Sequence, residues 1–284
     1  MTTVIGILIM FGSIIGGFLM HHGNLHVLFQ PSEFIIIGGA GLGSLIVMVP
    51  PKLLKKVIAA VPTVFTAPSQ TKEGSLQVLG LLYEVFAKIK RDGALAIEKD
   101  VEKPRESEIF RKYPSFLENR AALSLLCDTL RLITMGASVR PHDLDELMTV
   151  EIESHEEDES RVSGAFQTLA DAFPGLGIVA AVLGVIITMG KMNETPQVIG
   201  HSIAAALVGT FLGILLCYGV MGPVAKNLEH RHQADVKVLE AIKASVLAFA
   251  KDIPPRIAVE FGRRVMLGDD KPGFREVEEA LKKT

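Results

Sequence analysis

The four longest apolar segments of this chain contain no Asp, Glu, Lys or Arg. They are residues 4–20, 34–49, 174–190 and 203–222, and Glu33, Asp171 and Lys191 stand just outside them. A membrane protein that moves ions usually keeps an ionisable residue at depth as the relay group. Here Thr188 and Thr210 offer only hydroxyls. The sequence therefore predicts either that no ion is moved or that a second protein brings the missing charge.

Other absences exclude whole classes of function. The 284 residues include no Trp, so no tryptophan belt marks the membrane interfaces. No metalloprotease, hydrolase or nucleotide-binding motif is present, so we expect neither an enzyme nor a cofactor or metal. The net charge of -3 is too small to favour nucleic acid as a partner. Cys127 and Cys217 have no metal-ligand spacing and no reason to pair, so we interpret both as free thiols.

What the chain does have is apolar sequence and an uneven distribution of charge. Hydrophobic residues make up 49% of it and concentrate in the four segments, which predicts an integral membrane protein with four transmembrane helices. Residues 51–173 carry 16 Lys and Arg and the residues after 222 carry 12, whereas the two short connections carry one in total. Positive charge stays on the cytoplasmic side, so both termini and the long insertion are expected there.

The predicted fold class is all-α, with a 2+2 arrangement of spans. A first transmembrane hairpin occupies residues 1–50 and a second occupies 174–222. A helical cytoplasmic domain is expected at 51–173, and a helical cytoplasmic tail at 223–284. The spans are expected to be surrounded by lipid.

The residues outside the spans have the three- and four-residue spacing of buried helix faces. One stripe ends at Gly93, a second helix is expected near residues 117–135, and a third begins near Pro141 with Asp143 as a possible N-cap. The acidic run at 151–159 is interpreted as a solvated face rather than a metal site. The stripes before Gly93 and in the tail are Leu76, Leu79, Leu82, Phe86 and Ile89, and Val236, Leu239, Ile242 and Val246.

Small residues recur four apart within three of the spans. Such stripes let membrane helices approach closely, either within one chain or between chains, and the sequence leaves both possibilities open. The residues are Gly12 and Gly16 in the first span, Gly177 and Ala181 with Gly184 nearby in the third, and Ala205, Gly209 and Gly213 in the fourth.

Two threonines and two prolines are the other candidates for function. The Thr210 hydroxyl could bond the carbonyl four residues before it, or line a wet path between helices. Thr188 presents the same choice. Pro174 could be the first residue of its helix, where proline costs little. Pro223 falls where the fourth span runs on into the tail, so we expect a kink there.

Four stretches carry a resemblance to a known family. They are residues 104–110 (PRESEIF), 174–181 (PGLGIVAA), 208–215 (VGTFLGIL) and 254–264 (PPRIAVEFGRR). The chain resembles the MotA family of flagellar motor stator proteins over nearly its whole length, including the 2+2 topology. The resemblance implies a stator subunit that forms a proton channel with MotB and converts ion flow into torque.

The resemblance also implies partners and an ion path. MotB would supply the ion-carrying aspartate, and five copies of this chain are expected around two of MotB. Thr210 and Ala181 would face the ion path, with Thr188 as a further candidate. Sodium-driven relatives carry threonine at the position of Ala181, so the alanine favours protons over sodium as the coupling ion.

Coupling to the rotor follows from the same resemblance. Pro174 and Pro223 match prolines that the family uses as coupling hinges. The contacts with the rotor switch protein FliG map onto Lys90, or its neighbour Arg91, and onto Glu98. The resemblance does not decide which of the two basic residues serves.

Two rival functions stay open at this point. One is an energiser of envelope transport similar to ExbB and TolQ, although those relatives resemble a three-span design and the first hairpin argues against it. The other is a membrane scaffold that conducts no ions.

Overall fold

The chain is helical throughout the part that the computed structural model describes, which is residues 2–66, 71–135 and 139–282. This part contains no β-strand, so the all-α prediction is confirmed. The α-helices are α1 (Thr2–Met20), α2 (Leu25–Leu28), α3 (Pro31–Met48), α4 (Pro51–Ala60), α5 (Lys72–Asp92), α6 (Glu98–Glu102), α7 (Pro114–Glu118), α8 (Arg120–Thr134), α9 (Pro141–Met189), α10 (Pro196–Ile214), α11 (Gly222–Ala250), α12 (Pro255–Val265) and α13 (Phe274–Lys282).

Four helical stretches are long and apolar enough to cross a membrane. They are Thr3–Met20, Leu25–Met48, a part of Pro141–Met189 and a part of Pro196–Ala250, which confirms the four predicted spans. The second stretch is in two pieces, because Phe29 and Gln30 interrupt it between α2 and α3. Asn24 caps α2, accepting a hydrogen bond from the backbone N–H of His26.

Helix α9 runs for 49 residues without a break, with Pro174 in its interior. The interpretation of Pro174 as the first residue of a helix is therefore wrong. The prediction that a helix begins near Pro141 is confirmed, but Asp143 is not its N-cap. Its carboxylate instead accepts hydrogen bonds from the Arg140 guanidinium, with Nη2 2.8 Å from Oδ1.

The fourth span runs on into the tail through a π-helix at Leu215–Met221, after which α11 begins. The N–H of Gly222 donates to the carbonyl of Cys217, five residues back, as in a π-turn. Pro223 follows at the second position of α11. The change from π-helix to α-helix therefore lies immediately before Pro223, where the sequence predicts a kink.

The described chain divides into two compact units, and the division falls within α9 and α11. The first unit comprises Met1–Ala67 and Glu159–His230. Its core is made by α3, α4, α9 and α10 with the start of α11, and includes Ile37, Leu45, Phe166 and Leu212. The domain boundaries at residues 50, 173 and 222 rest on hydropathy and describe where the chain enters or leaves the membrane. They stay a prediction.

The second unit comprises Pro68–Asp158 and Arg231–Thr284. The two predicted stripes meet in its core, where the rings of Phe86 and Phe249 stack with centroids 4.4 Å apart. Helix α5 begins at the N-cap Thr71 and ends at Gly93, whose φ of 86° suits glycine. Helix α12 packs closely on α11, since a Cβ built on Gly262 would lie 2.6 Å from the Ala241 carbonyl oxygen.

Both cysteines are buried and unpaired, so the interpretation as free thiols is confirmed. Burial in the core of the second unit raises the pKa of the Cys127 thiol to about 12. Reactivity depends on the thiolate, so Cys127 is a packing residue rather than a nucleophile.

Candidate functional site

Helices α9 and α10 pack together through glycines. A Cβ built on Gly177 would lie 2.7 Å from the Gly209 carbonyl oxygen and 3.0 Å from the Gly213 Cα. Near the end of α9, a Cβ on Gly184 would lie 2.9 Å from the Cα of Ala206. Backbones meet directly only where side chains are absent, so the small residues of the third and fourth spans serve packing within one chain.

The first span and one member of the fourth-span stripe behave differently. A Cβ built on Gly12 or Gly16 would meet no atom of another described element within 4 Å, so the described residues leave this side of α1 uncovered. In the fourth span the alanine against Gly184 is Ala206, while Ala205 is half-buried beside it.

The two threonines have different surroundings. The Thr188 hydroxyl donates a hydrogen bond of 2.8 Å to the carbonyl of Gly184, and the residue is only 5% exposed. Thr188 is thus satisfied by its own helix. Thr210 is half-buried, and within the part of the chain that the structure describes its hydroxyl has no hydrogen-bond partner. Of the two, Thr210 keeps its hydroxyl available to something outside the chain.

Ala181 and Thr210 lie on the segments of α9 and α10 that pack against each other. A Cβ on Gly209 would be 3.1 Å from the backbone nitrogen of Ala181, and a Cβ on Gly177 would be 3.3 Å from the Thr210 Cα. Ala181 is half-buried and brings only a methyl group. The structure therefore gathers the two residues assigned to the ion path at one level of the helix pair.

Glu33 is a residue at this level that the sequence analysis missed. We placed it outside the second apolar segment, but α3 begins at Pro31 and includes it. Its side chain is buried, and its Oε2 would lie 2.6 Å from a Cβ on Gly209. The signal was present in Pro31 and Glu33 together, because proline at the first position and an acidic residue in the first turn are typical of a helix start.

Several large side chains of α9 and α10 are exposed. Ile178, Val182 and Leu207 each leave more than half of their surface uncovered. These apolar faces need lipid or other helices to cover them, since water would make their exposure costly.

The charged residues assigned to the rotor lie in the second unit and are all exposed. Arg91 is paired with Asp92, with 2.8 Å between Nη2 and Oδ2, and that hydrogen bond raises the pKa of Arg91 and lowers the pKa of Asp92. Lys90 and Glu98 have no ion pair among the described side chains. Lys90 is therefore the more available of the two neighbouring cations.

The PRESEIF stretch fixes the segment that carries Glu98. Lys88 of α5 is paired with Asp100 of α6 at 2.6 Å, and the Ser107 hydroxyl donates to the same carboxylate at 2.6 Å. The Ser107 oxygen in turn accepts from the N–H of Phe110 at 3.3 Å. One buried serine thus joins α6 to the turn that follows it.

A metal centre has no support in the described residues, where no group of three or more His, Cys, Asp or Glu is arranged to hold an ion. The acidic run on α9 is largely exposed, in agreement with a solvated face.

Known proteins of one family match this chain over nearly its whole length. Residues 4–93 match the family model "Motility protein A N-terminal", and residues 118–241 match that of the MotA/TolQ/ExbB proton channel family. Motility protein A of Escherichia coli is 39% identical, covering 99% of this chain and 95% of the relative. Chemotaxis protein LafT of Vibrio parahaemolyticus is 34% identical, covering 99% and 98%.

Solved structures share the fold. A chain of the C. jejuni MotAB structure aligns with a TM-score of 0.78 and 21% identity, covering 94% of this chain and 96% of that one. A chain of the flagellar MotAB stator complex from Bacillus subtilis aligns with a TM-score of 0.76 and 24% identity, covering 95% and 98%. The chain therefore belongs to the motility protein A family of the MotA/TolQ/ExbB proton channel proteins.

Proposed function

We propose that this chain is the channel-forming stator subunit of a bacterial flagellar motor, a membrane motor component and not an enzyme. One observation carries the proposal: the close contact of α9 and α10 brings Ala181 and Thr210 to one level of the helix pair, and the Thr210 hydroxyl has no hydrogen-bond partner in the described part of the chain. The chain that does so is 39% identical to E. coli motility protein A over almost its full length.

The flagellar function is favoured over an energiser of the ExbB or TolQ kind. The motility-protein model covers residues 4–93, which include all but the first three residues of the first hairpin. That hairpin is the feature by which we distinguished a 2+2 stator from the three-span design.

The partner is MotB, and several copies of this chain, five by the family resemblance, surround two of MotB. The exposed side chains of α9 and α10, such as Ile178 and Leu207, support this, because they are the surface that partner helices would cover. The assembly lies in the inner membrane among lipids, with both termini in the cytoplasm, in agreement with the excess of Lys and Arg outside the spans.

The coupling ion is the proton. Ala181 adds no oxygen that could replace the hydration shell of sodium, and Thr210 supplies a single hydroxyl. A carboxylate brought by MotB takes a proton from the outer side, which removes a charge that is costly in a dry site. Each proton that crosses releases about 2.3 kcal/mol per 100 mV, so no step of the cycle can require more than a few kcal/mol.

Neutralisation lets the helices repack, and the motion reaches the cytoplasmic side by way of Pro174 and Pro223 as hinges. Lys90 or Arg91, and Glu98, then act on FliG through exposed charge pairs. Such pairs are individually weak and sensitive to salt, which suits contacts that must form and break repeatedly.

The test is proton flux in vesicles that contain the chain alone or together with MotB, with swimming of cells that lack their own stator subunit as the second readout. We expect flux and swimming only with both proteins, and a strong loss of both for Thr210→Val. An assembled complex that carries no protons would favour the scaffold, and flux through the chain alone would remove the need for a partner carboxylate.

A further inference from the structure

Glu33 is a buried carboxyl group with an unsatisfied oxygen. The residue is 6% exposed, and its Oε2 has no hydrogen-bond partner among the described residues, while the Ser32 side chain bonds the carboxyl group. A buried polar atom without a partner costs roughly 1–3 kcal/mol, and more when it is charged. A group kept under those conditions needs a function or a missing partner to account for it.

The position of the oxygen is defined by Gly209. A Cβ on this residue would lie 2.6 Å from Oε2 and 3.0 Å from the Cβ of Ala180. The glycine therefore leaves just the space that the carboxyl group occupies. The Glu33 carboxyl group lies against Gly209, which precedes Thr210 in the sequence and packs against the backbone of Ala181.

Gly209 lies within the apolar part of the fourth span. It is about 9 Å along α10 from residue 203, where the fourth apolar segment begins, at 1.5 Å per residue. Both α2 and α3 pack against α10, and the non-helical residues Phe29 and Gln30 join these two helices.

The elements that pack near Glu33 carry few ionisable groups. Helix α2 carries His26 and α10 carries His201, and both are exposed. The lysines of α4 follow the opposite end of α3, and the part of α9 beside Gly209 carries none. Within the described chain no cation lies against the carboxylate, so a proton is the ligand that best satisfies Oε2.

We propose that Glu33 is a proton-binding group of the ion path, a carboxyl supplied by this chain in addition to the one supplied by the partner. The inference rests on the proposed function. A proton arriving from the outer side forms an O–H bond at Oε2, and the same bond breaks when the proton passes on to water or to the partner's carboxylate. No electron is transferred, and the carboxylate is restored at the end of each passage.

The test compares Glu33→Gln with the matched control Glu194→Gln, which removes an exposed carboxylate from the connection between α9 and α10. Each variant is co-purified with MotB and reconstituted in vesicles. Proton flux is measured together with the infrared carbonyl band of a protonated carboxylic acid. We expect Glu33→Gln to assemble normally, to lose one such band and to lower the flux by about tenfold or more, and Glu194→Gln to change neither.

Normal flux in an assembled Glu33→Gln complex would overturn the proposal and leave Glu33 as a packing residue. Should Glu33→Gln fail to assemble, Glu33→Asp decides, because it keeps a carboxyl that is one methylene shorter. If the Glu33→Asp complex assembles, conducts protons and shows a carbonyl band of the shorter, protonated carboxyl group, the proposal is supported. If the Glu33→Asp complex assembles without that band, the proposal is overturned. If the wild-type complex conducts no protons, the proposed function fails, while the infrared band still reports whether Glu33 binds one.

Discussion

Gly213 of α10 lies directly on Gly177 of α9: a Cβ built on Gly213 would be 2.8 Å from the Gly177 Cα. It would also be 2.5 Å from the Phe173 carbonyl oxygen, so neither neighbour is a flexible side chain that could move aside. Separation of the two helices is the only way to admit a methyl group there.

We therefore predict that Gly213→Ala lowers the stability of the complex by about 1–3 kcal/mol. The control is Gly164→Ala in α9, where a built Cβ has no atom within 4 Å and alanine should stabilise the helix by up to about 1 kcal/mol. Thermal unfolding in detergent measures both. Equal melting temperatures for the two variants would contradict the packing described for α9 and α10.

Thr188 and Thr210 are predicted to respond differently to replacement by valine. The hydroxyl of Thr188 is engaged by Gly184, so Thr188→Val should cost at most about 1 kcal/mol and leave proton flux unchanged. Thr210→Val removes the hydroxyl that has no partner within the described chain, so flux should fall without loss of assembly. Flux in vesicles and co-purification with MotB are the readouts. A larger loss of flux in Thr188→Val would reverse the assignment.

Lys90 is predicted to contribute more to the rotor contact than Arg91. Asp92 already neutralises Arg91, whereas Lys90 is unpaired within the described residues. Lys90→Glu should reduce swimming more than Arg91→Glu, with equal amounts of protein in the membrane. Lys282→Glu, in the last helix, serves as the control for charge reversal on an exposed lysine. A greater defect in Arg91→Glu would indicate that the Arg91–Asp92 pair opens to bind the rotor.

Glu260 is predicted to make stability depend on pH. The Arg263 side chain bonds its carboxylate at 2.6 and 2.7 Å, Arg264 adds a bond at 3.0 Å, and these hold the pKa of Glu260 below its usual range against the opposing effect of burial. Because the folded-state pKa is lowered, this stabilisation is present above the unfolded-state pKa near 4.5 and is lost as the pH falls through the folded-state value.

The measurement is the melting temperature of the wild type and of Glu260→Gln as a function of pH. At neutral pH the variant should be less stable by about 1–2 kcal/mol. The two curves should converge as the solution is acidified below pH 4.5. A stability difference between the two proteins that does not change with pH would show that the substitution acts through packing and not through the charge of Glu260.

Helix spacing predicted the helices outside the four spans well, because a buried stripe repeats over many residues. Leu79, Leu82 and Phe86 are all fully buried in one core, as their three- and four-residue steps indicated. The interpretation of the cysteines as free thiols was correct because their positions in the sequence favour neither a metal site nor a disulfide.

The errors came from single residues whose effect depends on packing. A proline at the start of a helix and one inside a long helix look the same in sequence, so Pro174 was misread. Asp143 has the side chain of an N-cap, but α9 begins two residues before it at Pro141, and Arg140 bonds its carboxylate. Glu33 was missed as a functional residue because a hydropathy segment stops at a carboxylate, and the space that Gly209 leaves for its side chain cannot be read from the second segment alone.

The π-helix at Leu215–Met221 changes how the residues around it should be projected. Each of its turns takes in one residue more than an α-turn, so side chains beyond it rotate out of the phase set by α10. A cysteine scan plotted on a single helical wheel across residues 196–230 will therefore report two accessible faces where there is one. Resetting the angle at residue 215 should merge them.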